Sequence, residues 1–579
     1  MPMPSFPLRV AMRRGLIGAM LSALCGTAFP TVQGAQPAPQ LFDLLIRGGR
    51  VFDGTGNPAF PADIGIRDGR IVAVGKLPGA TATRVVNASG KHVAPGFIDI
   101  HSHADDGASI QGGFRDKDPR YRAAPNLVTQ GVTTVVVNHD GRSPWPISDQ
   151  RAFLETNGIG TNALLMVGHG TVRARVMGSD FRRAARPDEV AKMQELVRQA
   201  MREGAIGLSA GLEYVPGRWS TTDEVVSLAR EIVPFNGVYI SHQRAEGGDP
   251  MWFWPSQDAP GAPSLMDAVQ ETIDIGERTG ARVVASHIKA KGEHWRGTSQ
   301  AIIQLIERAR ARGVDVWADQ YTYNTSGTDG NTVLLPAWAI EPTRDAPAAR
   351  TTGANYSAAL RATLADSARA AMLRRDIAHE IRRRGGPENV MVFEYPDSAA
   401  IGKTVGQLAA ARGVTPIEMA IQLQLEGNTA RRGGGRMRGF SMDESDMDKF
   451  AAQPWVATAS DAGIALPEDG PGTHARFYGT FPRKIRRYAI ERGALSVESA
   501  IRSMTSLPAQ IVGLRDRGQL REGMVADVVV FDLGAIRDKA TFFQPHQYAE
   551  GVELVLVNGV PVVEGGKPTW KLPGKVLTR

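Results

Sequence analysis

The stretch "PGFIDIHSH", residues 95–103, ends an apolar run with two histidines one residue apart. In a strand, residues i and i+2 point to the same side, so His101 and His103 aim at one place. Two neutral imidazoles sharing a point make a metal-ligand pattern; the plain alternative is a pair of surface or capped histidines. The chain has 11 histidines. His242 closes the run "GVYISHQ", His287 closes "ARVVASHIK", and Asp461 closes "WVATASDA". A structural histidine is the default reading of any one of them. Four histidines and an aspartate at the ends of strand-like runs point instead to a shared metal site. Near pH 7 imidazole is largely neutral and can ligate, while a carboxylate there stays ionised.

The elements that must carry these residues alternate. Strand-like runs occur at "GFIDIHSH", "VTTVVVNHD", "NALLMVGHG", "AIGLSAG", "GVYISHQ", "ARVVASHIK", "VDVWADQY" and "WVATASDA". Helical patterns lie between many of them. One starts near Pro187-Asp188, sets Val190, Met193, Val197 and Met201 on one face, and stops at Gly204. Continuous apolar strands alternating with helices imply a parallel sheet, and eight of them imply an α/β fold of the (β/α)8 TIM-like barrel type. In such barrels chemistry gathers at the C-terminal strand ends, where the ionisable residues fall. Strands one to seven are expected within 95–335 and the eighth within 451–512. The stretch between, 336–450, is too long for a loop and predicts an inserted subdomain. Its "TARRGGGRMRG" reads as a flexible basic surface loop, with RNA binding as the alternative. Residues 36–94 and 513–579 are rich in short strands with hairpins at Asp68-Gly69 and Asn558-Gly559. The expectation is a small β-sandwich built from both chain ends.

Composition adds limits. Over 579 residues, 42% are hydrophobic and 22% charged, which is ordinary for a globular protein. The net charge of +7 is diffuse, and part of it (Arg9, Arg13, Arg14) lies before residue 36, so nucleic acid is not expected as a partner. Arg13-Arg14 precede "GLIGAMLSALCGTAF", too short to span a bilayer comfortably, then small residues up to Ala35. Residues 1–35 read as a cleaved export signal, by the twin-arginine or the ordinary secretory route, implying a periplasmic or secreted protein with no membrane span after cleavage. Cys25 is the sole cysteine. The mature chain would then have neither disulfides nor cysteine-ligated zinc.

The ordered motifs "PGFIDIHSHAD", "GVTTVVV", "GAIGLSAGLEYVPG", "ASHIKAKG", "LLPAWA", "SDAG", "HARFYGTFPR" and "RGQLREGMVADVVVFD" resemble the D-aminoacylase (N-acyl-D-amino-acid deacylase) branch of the amidohydrolase superfamily. The resemblance covers roughly residues 41–570. It implies a zinc-dependent hydrolase with one or two ions per chain, acting on the amide of a small N-acyl-D-amino acid. His101, His103, His242, His287 and Asp461 would surround the metal. A bound metal polarises the amide carbonyl and lowers the pKa of its water. Asp461 would take the proton and pass it to the departing amine. Well-known members read G-N-C-G after strand two, with a metal-bridging cysteine; this chain reads "NHDG", placing Asp140 there. Asp140 either bridges or ligates metal, or is a turn residue before Gly141. The resemblance assigns the substrate carboxylate to Lys289, Tyr321 and Arg476; the plain alternative for Lys289 and Arg476 is structural ion pairing.

Other readings stay open. A cyclic amidase (hydantoinase- or dihydroorotase-like) shares HxH and the aspartate, but "AIGLSAG" lacks the strand-four lysine of those branches. A dipeptidase for D-amino-acid-containing dipeptides and a non-catalytic binding protein are further alternatives. "GLSAG", Gly207–Gly211, matches a nucleophile elbow, but no helix pattern follows it. His169 either bonds substrate or stabilises a turn. The loop aromatics Trp252, Phe253 and Trp254 either line an apolar pocket, pack the loop down or meet another subunit. Oligomeric state is not legible.

Overall fold

The computed structural model describes residues 41–105, 113–257, 261–340, 355–470 and 472–578. The export signal read at 1–35 lies outside the described residues. Among the described residues, no helix is long and apolar enough to cross a membrane.

Leu41–Val51 opens a nine-stranded sheet that also takes Val528–Phe531 and Val552–Val557 from the far end of the chain. The two ends meet at His92–Pro95, which pairs parallel with the first strand and antiparallel with Val528–Phe531. Both expected hairpins form. Asp68 and Gly69 have φ of 50° and 69°, and Asn558 and Gly559 have 52° and 81°. Two successive left-handed residues match the right-handed twist of the flanking strands. The strands belong to one continuous hydrogen-bonded sheet. Leu44, Ile46 and Ile64 share an apolar cluster with Val528, Val530 and Leu556, so residues from both chain ends build its core.

Eight parallel strands form the barrel: Phe97–Asp99, Val132–Val137, Asn162–Leu165 (resumed at Val167–Gly168), Gly207–Gly211, Val238–His242, Arg282–Ala285, Val316–Gln320 and Val456–Thr458. Nearly every residue in them is buried, as both faces are covered. The ring closes where Ser102 bridges Ala462 in parallel, with Asp461 N donating to His101 O at 2.8 Å and His103 N to Ala462 O at 2.9 Å. The helix Pro187–Arg202 buries Met193, Val197 and Met201 at four-residue spacing. Its start is fixed by Pro187 and by Glu189, which accepts from Arg186 N at 2.8 Å.

Between the seventh and eighth strands stand helices such as Ser367–Arg383 and Pro416–Glu426 and an antiparallel pair of Val390–Glu394 with Arg436–Gly439. They share their own apolar cluster, including Leu373, Ile377, Val392 and Met437. The expected flexible basic loop is thereby corrected in its second half. Arg436–Gly439 is a strand, and Arg438 is 1% exposed, its guanidinium 4.7 Å from the Phe542 ring centre. Stacking on aromatic faces lets a weakly hydrated guanidinium sit inside.

Asp99 clamps strand one to the turn after strand eight. Its Oδ1 accepts from Ser460 N at 2.8 Å and His101 N at 3.3 Å, and its Oδ2 from the Ser460 hydroxyl. Asp99→Ala leaves buried donors unpaired, at a cost of about 1–3 kcal/mol each. We expect a clear drop in unfolding temperature, with a smaller drop for Asp99→Asn. An alanine variant that melts with the wild type would show that the clamp contributes nothing.

Candidate metal centre

The site is assembled by strand ends that turn sharply. Asp140, His287 and Asp461 have φ of 57°, 36° and 51°. The left-handed region costs an ordinary residue roughly 1–2 kcal/mol, less for Asp, Asn and His than for most others. Here the turn swings each side chain toward the barrel axis just past its strand. His101 and His103, two apart, bring their ring centres to 5.1 Å. Gly211 pairs with His242 in register, so the ends of strands four and five lie side by side.

Among the described residues the converging atoms form three groups; two share Asp140, and the third joins His242 to Glu213 and Glu246. In the first, His101 Nε2 lies 3.6 Å from Asp140 Oδ1, and His103 Nε2 lies 3.5 Å from Asp140 Oδ2. Asp461 Oδ1 approaches the same rings, at 3.8 Å from His101 and 2.9 Å from His103. In the second, His242 Nδ1 and His287 Nε2 are 2.9 Å apart and each lies 3.7 Å from Asp140 Oδ1. Tetrahedral zinc with bonds of about 2.1 Å sets its ligand atoms about 3.4 Å apart. The spacings, 3.5 and 3.6 Å in the first group and 2.9 and 3.7 Å in the second, lie around that value. Buried His101 Nε2 and Asp140 Oδ1 also lack hydrogen-bond partners, as expected of atoms that wait for a cation. The donor set therefore fits a metal pair, with Asp140 between the two groups. The turn reading of Asp140 holds as well, since Asp140 occupies the left-handed position before Gly141.

Outer contacts decide which nitrogen of each ring is available. Ser286 Oγ donates to Asp319 Oδ2 at 2.6 Å, so it must accept from His101 Nδ1, also at 2.6 Å. That places the His101 proton on Nδ1 and its lone pair on Nε2, toward Asp140. His242 Nε2 is 3.0 Å from Glu213 Oε2, and His287 Nδ1 lies between Glu246 and Lys289, at 3.2 and 2.9 Å. Burial and the nearby rings of His139, His287 and His103 push His101 well below its usual range, keeping it neutral. Burial opposes the charge on both aspartates but is outweighed. His242, His287 and His103 hold Asp140 far down, and Arg476 and His103 bring Asp461 to about 2. Glu213, Glu246, Ser286 and Asp319 escaped the sequence reading. Of these, only Ser286 had a signal, standing directly before a candidate ligand.

The centre opens into a cavity of about 540 Å3 lined by His103, Asp140, Asp461, Lys289 and Arg476, among others. Arg476 Nη1 binds Asp461 Oδ2 at 2.6 Å, and Lys289 Nζ is held by Glu246. Tyr321 lies apart from the cavity lining, between these cations, its ring centre 5.3 Å from Lys289 Nζ and 4.9 Å from the Arg476 guanidinium. Its buried hydroxyl has no hydrogen-bond partner among the described residues. Ser209 of "GLSAG" commits its hydroxyl to Asn138 O at 2.6 Å, deep in the barrel, and no nucleophile forms there. His169 faces Glu224 at 3.0 Å, away from the cavity. The aromatic loop packs down: Phe253 and Trp254 meet His379 of the inserted subdomain at 5.7 and 6.3 Å.

If Asp140 serves both groups, Asp140→Ala should lose about one equivalent of metal by elemental analysis, provided each chain holds two. Asp140→Cys should hold zinc more tightly, since a thiolate is the softer ligand. Retention of the full metal count and rate by the alanine variant would leave Asp140 a turn residue only.

The amidohydrolase family profile matches residues 84–563. D-aminoacylase of Alcaligenes xylosoxydans xylosoxydans is 33% identical over 568 residues, spanning 94% of this chain and 99% of that protein. A D-aminoacylase crystal structure described as having a binuclear metal centre, with one-metal activation and second-metal attenuation, superposes with a TM-score of 0.68 at 32% identity, covering 93% of this chain and 100% of that one. N-acyl-D-glutamate deacylase from Bordetella bronchiseptica, solved with zinc and a phosphonate mimic of the tetrahedral intermediate, gives 0.69 at 30% identity with the same coverage. Motif order, fold and similarity along nearly the whole chain converge: this chain belongs to the amidohydrolase family, in its D-aminoacylase branch.

Proposed function

We propose that this protein hydrolyses the amide of N-acyl-D-amino acids to a carboxylic acid and a free D-amino acid, using zinc, one or two ions per chain, outside the cytoplasm. The observation that carries this reading is the placement of Asp461. One of its oxygens meets His103 at 2.9 Å and the other meets Arg476 at 2.6 Å, at the inner end of a cavity sized for a small molecule. Relatives of D-aminoacylase type, similar over nearly the whole chain, support the substrate class.

His101, His103, Asp140, His242, His287 and Asp461 would hold the metal. When bound, zinc supplies Lewis acidity to the scissile carbonyl and lowers the pKa of a coordinated water. Asp461, ionised at neutral pH, takes a proton from the attacking water and returns it to the amide nitrogen as that nitrogen leaves. Arg476 orients this carboxylate and presents its remaining donors toward a substrate carboxylate, a planar group that guanidinium matches. Lys289 adds positive charge at the same wall. Tyr321 supports the two cations from behind through its ring face.

The direct experiment is amine release from paired N-acyl-D- and N-acyl-L-amino acids, by zinc-loaded protein and by protein dialysed against a chelator. Hydrolysis should favour the D series, vanish on chelation and return with zinc. Full activity in metal-free protein, or hydrolysis of cyclic amides alone, would overturn the proposal.

Asp461→Asn should lower kcat by roughly 10²–10⁴-fold with metal largely retained. A near-normal kcat would remove Asp461 from proton transfer.

Arg476→Ala disturbs Asp461 and so slows every substrate. It should cost a further 10–100-fold or so in kcat/KM for substrates with a carboxylate, the worth of about 1.5–3 kcal/mol for a bond to a charged group. Equal losses with a carboxylate-free analogue would make Arg476 a purely structural partner of Asp461.

A further inference from the structure

Glu213 follows strand four, two residues beyond Gly211, and the pairing of Gly211 with His242 carries it beside strand five. It is 3% exposed. One oxygen, Oε2, lies 3.0 Å from His242 Nε2; the other, Oε1, accepts from Met251 N. An ionised carboxylate only accepts, so His242 must carry its proton on Nε2. In the neutral ring, the form that can ligate, the lone pair is then on Nδ1, which faces His287 Nε2 at 2.9 Å and Asp140 Oδ1 at 3.7 Å. Three of the rings are backed differently. His101 is backed by a neutral hydroxyl, that of Ser286. His287 Nδ1 faces both Lys289, at 2.9 Å, and Glu246, at 3.2 Å, whose opposite charges offset each other. Among the described residues Glu213 pairs with no lysine or arginine, so its charge acts on His242 without an offsetting partner.

We propose that Glu213 is a positioning residue: it fixes the His242 tautomer and makes Nδ1 a stronger donor to a metal held by His242, His287 and Asp140. This rests on the metal reading above. A carboxylate in place of the family's bridging thiolate gives zinc a harder, weaker ligand. The charge behind His242 offsets part of that weakness. Partners of this kind typically affect metal affinity by about 10–100-fold.

The test removes zinc from the holoprotein with graded chelator and counts what remains by elemental analysis, with thermal unfolding as the folding control. Glu213→Gln has one acceptor oxygen where two are used, so it must abandon either His242 or Met251 N. It should release the ion held by His242, His287 and Asp140 at about 10–100-fold lower chelator strength, leaving an ion held by His101 and His103 unmoved. Glu213→Asp keeps charge and both acceptors and should recover part of the loss, which also covers the case in which the glutamine variant folds poorly. Met251→Pro removes the second bond alone and should keep wild-type zinc retention. Unchanged zinc retention in Glu213→Gln, or an equal loss in Met251→Pro, would overturn the proposal. A wild-type protein that holds no zinc would instead overturn the metal reading itself, and this inference with it.

Discussion

Four imidazoles and two carboxylates converge on one another from the ends of five strands, and the surrounding structure exists to hold them so. Burial opposes the charges gathered there, and the close contacts among rings and carboxylates offset only part of that cost. It persists because each approach is braced from outside. Ser286 and Asp319 hold His101, and Glu213 holds His242. The left-handed turns at Asp140, His287 and Asp461 are part of the same cost, stored where the site needs direction rather than stability.

Charge is distributed along the cavity in the order a reaction would use it. Asp140 lies among the imidazoles. Asp461 stands at the boundary, one oxygen toward His103 and one toward Arg476. Lys289 and Arg476 line the wall beyond. A carboxylate with its two oxygens so engaged cannot rotate freely, which favours repeated proton transfer along one direction.

Much of the barrel was legible because period two and continuous burial leave strong traces: eight apolar runs, with ligand candidates where those runs end. His101 and His103 could be placed together from spacing alone. Glu213 and Glu246 could not. They sit two and four residues past their strands, and only the register of neighbouring strands brings each to a ring. Arg436 and Arg438 misled for the opposite reason. Their type and glycine-rich surroundings describe a solvated loop, whereas aromatic rings far away in sequence make their burial tolerable. Tyr321 was assigned to the substrate through resemblance, and its position behind two cations depends on packing that no local pattern records.

The sheet made from both chain ends has a consequence for how the molecule comes into being. His92–Pro95 needs Val528–Phe531 as a neighbour, and that strand is synthesised only after the whole barrel and its insertion. Through most of translation the early strands therefore lack a partner on one side. An unpaired strand row is a template for wrong pairing. Closing so long a loop is also entropically late, so these strands join after the barrel has gathered its own local units. Strands near residue 530 thus close a sheet opened near residue 41, and the sheet acts as a fastening across the whole barrel sequence.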